Sequence, residues 1–287
     1  MYQFPIGVMT DSLKGLDTPA AIKRAAAMGA QGIQMYATKG VNAPENLSTE
    51  NRRELLKLVK DNGLVFSAIC GDLGMGFGFA EKNPELIEKS KRIMELAKDL
   101  ECDVVTTHIG VVPASPEHPR FKIMQEACKT LAEYADSMQS HFAIETGPEP
   151  SLTLKHFLDS LHSTGVAVNL DPANLVMVVG DDPVEAVHNL KDYIVHTHAK
   201  DGRMLKKGNP EYLYGTVKPA PEGYFDEPYF AEVPLGTGSV NFPAYLKALE
   251  EIGYKGFLTI EREVGEDPEA DIRLAIEFLR DTIRKTV

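Results

Sequence analysis

The chain has 287 residues, 43% of them hydrophobic, enough for a substantial core and too apolar for a disordered chain. Thirty lysines and arginines against 42 acids leave a net charge of −12. That balance argues against nucleic acid or an anionic membrane surface as partner, since both are bound through clustered Lys/Arg. Cys70, Cys102 and Cys128 have no paired spacing and fit a reducing cytoplasm better than a disulfide scaffold. The start, MYQFPIGVMTDSL, lacks the basic and long apolar regions of a signal peptide. No apolar run approaches the roughly 20 residues of a membrane helix.

Short apolar runs rich in β-formers recur along the chain at 6–9, 32–36, 64–70, 103–108, 142–145, 166–170, 194–199 and 257–261. Most are continuously apolar, as strands covered on both faces by helices should be. Helical patterns follow them. Asp17-Thr18-Pro19, Asn83-Pro84 and Asp267-Pro268 each place proline at a helix start, and Gly29 and Gly63 stand where helices should stop. After 267 the apolar residues Ile272, Ala275, Ile276, Leu279 and Ile283 keep helical spacing. Eight such β-then-α units predict a (β/α)8 TIM barrel, read as one α/β domain over 1–287. A doubly wound sheet is the alternative, but it rarely needs eight parallel units.

Residues 201–240, after the seventh strand, break the rhythm. The segment carries Tyr212, Tyr214, Tyr224 and Tyr229 among several prolines and glycines. A loop of this length in a compact domain is usually a lid or binding loop. Its stretch LGTGSVNF (235–242) is glycine-rich before a helix; a turn with a cap is the plainer reading, an anion site the other. Arg203, with Lys206 and Lys207, forms a small basic group there, and Arg203 is a candidate substrate contact.

Catalytic side chains of barrel enzymes project from the C-terminal ends of the strands. The fourth strand ends in His108, the fifth in Glu145, the sixth in Asp171, the seventh in His198 and the eighth in Glu261. Any one of these acids is most often a helix cap or an ion-pair member. Four on consecutive strands are harder to explain so, because a closed barrel turns neighbouring strand ends toward one axis. Three carboxylates that close would repel unless a cation sat between them. The set Glu145, Asp171, His198 and Glu261 therefore predicts a site for one divalent metal ion, Mn²⁺, Mg²⁺, Co²⁺ or Zn²⁺. His196 shares a strand face with His198 and lies deeper, as packing or support; with His108 it is also a candidate substrate contact. Lys200 continues that face within reach of a substrate oxygen. Asp201 orients a ligand or caps the strand end. Cys70 ends the third strand as a core residue or pocket wall. The remaining histidines (His118, His141, His156, His162, His188) fall in predicted helices or loops.

The stretches AIETG, NLDPANL, HTHAKD and VPLGTGSVNFPAYLKALEEIGYKGFLTIERE, with the eight-unit rhythm, resemble the sugar isomerase/epimerase superfamily with the xylose-isomerase-like barrel. That group includes ketose 3-epimerases, hydroxypyruvate isomerase, inosose isomerases and dehydratases, and an apurinic endonuclease branch. The resemblance implies that Glu145, Asp171, His198 and Glu261 hold one divalent metal, and that Glu145 and Glu261 serve as the acid/base pair. Where a substrate-contacting histidine often follows the aspartate by three, this chain has Asn174, which can still hydrogen-bond a hydroxyl. His108 stands where the endonuclease branch has a metal histidine. The lost ligand at 174 and the charge of −12 disfavour that branch. The implied activity is isomerisation or epimerisation of a small keto-sugar or cyclitol through a metal-stabilised enediolate; the weak phosphate-binding signal in the chain itself favours an unphosphorylated one. A lyase or dehydratase on an inosose or 3-keto-glycoside uses the same first step, and a non-catalytic sugar-binding barrel is the reading from another class. Members of the group often form dimers or tetramers, so a homo-oligomer is compatible with it.

Overall fold

The computed structural model describes residues 4–216 and 219–286. Eight parallel strands close into a barrel: β1 (Ile6–Met9), β2 (Gly32–Tyr36), β3 (Val65–Cys70), β4 (Val104–Thr107), β5 (His141–Glu145), β6 (Val166–Leu170), β7 (Ile194–Ala199) and β10 (Leu258–Ile260). Their order around the barrel follows the chain, and β10 closes on β1. All eight predicted strands form, and the fold is the expected (β/α)8 TIM barrel. One sequence expectation shifts. His141, expected outside a strand, opens β5, because its backbone still pairs with Val104 before the apolar run begins.

The helices are α1 (Thr18–Ala27), α2 (Thr49–Asp61), α3 (Asn83–Asp99), α4 (Pro119–Ser137), α5 (Ser151–Asp159), α6 (Pro172–Asn174), α7 (Pro183–Asn189), α8 (Pro210–Leu213), α9 (Phe242–Glu251) and α10 (Pro268–Thr286). Local chemistry sets their ends. The Asp17 carboxylate accepts the Ala20 N–H at 2.8 Å, and Gly29 turns the chain after α1 at φ 86°. The apolar stripe of α10, Ile272 to Ile283, is buried against the barrel. Each such isoleucine or leucine contributes roughly 1.5–3 kcal/mol relative to exposure.

The 201–240 segment is more ordered than a loop reading implies. β8 (Asp201–Met204) and β9 (Phe230–Val233) pair antiparallel, and α8 lies between them. Tyr224 stacks on Tyr229 at 4.6 Å and meets Tyr212 edge-on at 5.0 Å, giving the segment its own small cluster. Its glycine-rich end holds an anion from within the chain. The buried Asp201 carboxylate accepts N–H bonds from Gly202, Gly236, Gly238 and Val240, at 2.8 to 3.1 Å. A Cβ on Gly238 would meet Asp201 Oδ1 at 2.1 Å, so only glycine allows this approach. Asp201→Ala would strand those buried N–H groups. The expected loss is about 2–4 kcal/mol of stability by urea unfolding; a change under about 0.5 kcal/mol would show that they find other partners.

Candidate metal centre and active-site cavity

Glu145 at the end of β5, Asp171 after β6, His198 in β7 and Glu261 after β10 converge at the C-terminal mouth of the barrel. One donor atom from each lies within 4.8 Å of the others, and all four residues are buried. His198 Nδ1 stands 3.3 Å from Asp171 Oδ2, 3.4 Å from Glu261 Oε2 and 3.6 Å from Glu145 Oε1.

The far side of the His198 ring meets two amides, with Asn169 Nδ2 at 3.3 Å from Nε2. Nε2 is 3.0 Å from Gln34 Oε1, and Gln34 donates its own amide to Thr106 Oγ1 at 2.9 Å. Nδ1 faces the three carboxylates, the orientation that a metal-ligating histidine needs. One imidazole nitrogen and three carboxylate oxygens, buried and mutually close, fit one divalent cation of the oxygen-preferring kind.

Burial pushes the Glu145 carboxyl up, but His198 and His108 outweigh it and hold the group down at about 2. Glu261 goes the other way. Burial raises it, Lys200 and His198 only partly offset that, and the Glu145 charge adds to the rise. Burial works against a charged His198, yet Glu261 and Glu145 raise it well above the ordinary histidine range.

A cavity of about 610 Å³ opens above the cluster. Glu145 and Glu261 line it, whereas Asp171 and His198, at 0% and 1% exposure, lie beneath. His108, Asn174 and Lys200 also line it. His108 sits 3.8 Å from both Asp72 Oδ2 and Glu145 Oε1, with the Tyr214 ring of the 201–240 segment tilted against it at 5.3 Å between centroids. Asn174 donates its amide to Glu145 Oε1 at 3.1 Å, and Asn169 donates to Oε2 at 3.1 Å. Lys200 Nζ binds Glu261 Oε2 at 2.8 Å and Glu263 Oε2 at 2.5 Å. Cys70 forms part of the cavity wall.

Two candidates fall outside the cavity. His196 is 1% exposed, with Nδ1 on Asn169 Oδ1 and Nε2 on Thr259 Oγ1, each at 2.8 Å. Burial, and then the neighbouring His198, push it well below the ordinary histidine range, so it is neutral and supports the floor. Arg203 lies exposed on β8 and donates to the Thr237 carbonyl, away from the cavity lining.

The sequence reading passed over Gln34 and Asn169, which orient His198 and Glu145. Both stand in apolar strand runs and beside register shifts, at Ile33/Gln34 against β3 and Val168/Asn169 against β7. A bulge re-aims the side chain that follows it. Glu232 on β9 was also missed. Its Oε1 accepts Arg262 Nη1 at 2.6 Å and the Glu263 and Val264 N–H groups at 3.0 and 3.4 Å, which ties the hairpin to the chain just after Glu261.

The family model described as Xylose isomerase-like TIM barrel matches residues 22–282. An uncharacterised protein of Methanocaldococcus jannaschii is 25% identical over 67% of this chain and 62% of its own length, so that match spans under two thirds of the relative. A Haemophilus influenzae protein named as a candidate L-ribulose-5-phosphate 3-epimerase is 23% identical over 99% of this chain and 98% of that one. A crystal structure of a xylose isomerase domain protein from Planctomyces limnophilus superposes with a TM-score of 0.80 at 25% identity, covering 99% of this chain and 98% of the other.

Proposed function

The chain belongs to the xylose isomerase-like TIM barrel family, and from that premise we propose that it is a divalent-metal-dependent isomerase or epimerase of a small, unphosphorylated keto-sugar or cyclitol. The observation that carries this reading is the division of the quartet, in which both glutamates face the cavity and Asp171 and His198 lie under them. A divalent ion held by Glu145, Asp171, His198 and Glu261 would supply Lewis-acid polarisation of a carbonyl and its neighbouring hydroxyl. The chain's own groups do the proton work. One glutamate takes the proton from the carbon beside the carbonyl, leaving an enediolate. The other returns it, to the next carbon in an isomerase or to the opposite face of the same carbon in an epimerase.

Asn169 and Asn174 hold Glu145 from two sides, and Lys200 holds Glu261, so both carboxylates are set before substrate arrives. His108 and the carbonyl oxygen of Asn174 are placed to meet substrate hydroxyls. Among the described residues Lys200 is the sole lysine or arginine lining the cavity, and it is engaged by Glu261 and Glu263. Asp72, Glu232 and Glu263 line the same space. A phosphate would meet acids there and no free cation. The three thiols are free and buried, which supports a reducing compartment such as the cytoplasm; no helix among the described residues is long and apolar enough to cross a membrane.

The test is removal and return of metal. Protein stripped with EDTA should lose turnover of a panel of ketoses, inososes and 3-keto-glucosides, and about one equivalent of Mn²⁺ or Co²⁺ should restore it. An unchanged product mass supports isomerase or epimerase, and loss of one water from an inosose, or of the aglycone alcohol from a 3-keto-glucoside, moves the chain to the lyases. Full turnover after stripping would overturn the metal-dependent reading.

A further inference from the structure

The metal-site glutamates lie at the floor of the cavity, and its mouth sets exposed apolar side chains beside the Asp72 and Glu263 carboxylates. Met75, Phe230 and Val264 are 43%, 39% and 50% exposed, and all three line this cavity. They come from three separate places in the chain: the segment after β3, the hairpin strand β9 and the segment after β10. Met177, Leu213 and Tyr214 continue the apolar wall inward. Scattered exposed apolar side chains need no explanation, but several gathered on the rim of one cavity mark an apolar ligand surface.

Size points the same way. A six-carbon sugar occupies roughly 150–200 Å³ at the packing density of organic solids, against about 610 Å³ here. A free sugar gripped at the floor would leave the rim in water and bury little of its apolar area. The rim is also pre-formed. Glu232, next but one to Phe230, accepts the Val264 N–H and the Arg262 guanidinium, so one buried carboxylate fixes both sides of the mouth.

We propose that the sugar taken by this site carries an apolar, aryl-sized appendage that lies on the Met75, Phe230 and Val264 rim while the sugar's oxygens face the glutamates. The inference rests on the functional reading above for the sugar end only. The rim and its selectivity stand on their own geometry.

The test is calorimetric titration of the metal-loaded protein with matched methyl and phenyl β-glycosides of glucose, galactose and xylose, together with the free sugars. For at least one sugar the phenyl glycoside is expected to bind about tenfold or more tightly than the methyl glycoside. In Phe230→Ser, and further in Phe230→Ser with Val264→Ser, that ratio should fall toward one. Both positions are exposed, so the variants should fold, and melting curves check it. Equal affinities in the unsubstituted protein, or binding of free sugar but of no phenyl glycoside, overturn the proposal, as does the absence of any phenyl-glycoside binding. A change of oligomeric mass in Phe230→Ser by light scattering, with the affinity ratio untouched, makes the rim a contact between copies and also overturns it. A tight phenyl preference without turnover of any keto-sugar would leave the rim standing and count against the isomerase reading instead.

Discussion

Glu145→Gln is expected to lower turnover by at least about 10²–10⁴-fold, the usual contribution of a positioned acid/base group, and to reduce bound metal below one equivalent per chain. The glutamine has nearly the same shape, so the change is mainly one of charge and protonation. Glu145 accepts the Asn169 amide on one oxygen and the Asn174 amide on the other. A glutamine can accept on only one side and must turn an NH₂ toward a second NH₂ on the other. It also removes one of the three negative charges that make the quartet attractive to a divalent ion. Glu261→Gln should behave alike, and it would leave the buried Lys200 with Glu263 and, at 3.8 Å, Glu232 as its remaining carboxylates. Metal analysis, single-substrate kinetics and a melting curve on each variant separate loss of chemistry from loss of fold. Stoichiometric metal and undiminished turnover in both variants would remove the glutamates from the reaction.

The parts of this site legible in the sequence are those whose chemistry is costly at a strand end. A carboxylate or imidazole closing an apolar run is conspicuous, and the even spacing of the runs tells which ends are neighbours. Glu145, Asp171, His198 and Glu261 are visible on that ground, and the structure brings them together. Their supports are another matter. Gln34 and Asn169 sit inside strands where one polar residue is unremarkable, and the register shifts that aim them leave no mark in the sequence. Asp201 was readable as polar but not as the hub of four N–H bonds, because those donors lie up to 39 residues away. The hairpin of β8 and β9 was hidden by its length, since two four-residue strands separated by 25 residues resemble a loop. Arg203 has the right chemistry for a substrate contact, yet it is exposed and bound to the Thr237 carbonyl, outside the cavity lining. Glu232 belongs to no spacing pattern at all, although it joins the hairpin to the chain after Glu261.

Glu149 should make the protein less stable as pH rises, and Glu149→Gln should remove that dependence. The side chain is 3% exposed in the turn after β5. Its Oε2 accepts the Val112 N–H at 3.0 Å, and its Oε1 has no partner. Burial pushes this carboxyl up to about 8, and the one N–H bond that favours the charged form does not compensate. In the unfolded chain the same group titrates near its ordinary value of 4.5. Between those values the native protein keeps a proton that the unfolded chain has released. Stability contributed by the neutral group is therefore fully present below about pH 4.5, declines through the interval and levels off above about pH 8. Linkage sets the full decline at about 5 kcal/mol as an upper figure. Glutamine keeps an oxygen for Val112 and cannot ionise. Its unpaired amide hydrogens shift the variant's stability by a constant, so the informative quantity is the difference in slope. Urea unfolding from pH 5 to 9 should show the variant gaining on the unsubstituted protein steadily toward pH 8, then running parallel to it. Parallel curves across the whole range would mean that Glu149 is already ionised at pH 5, with a cation or water reaching Oε1.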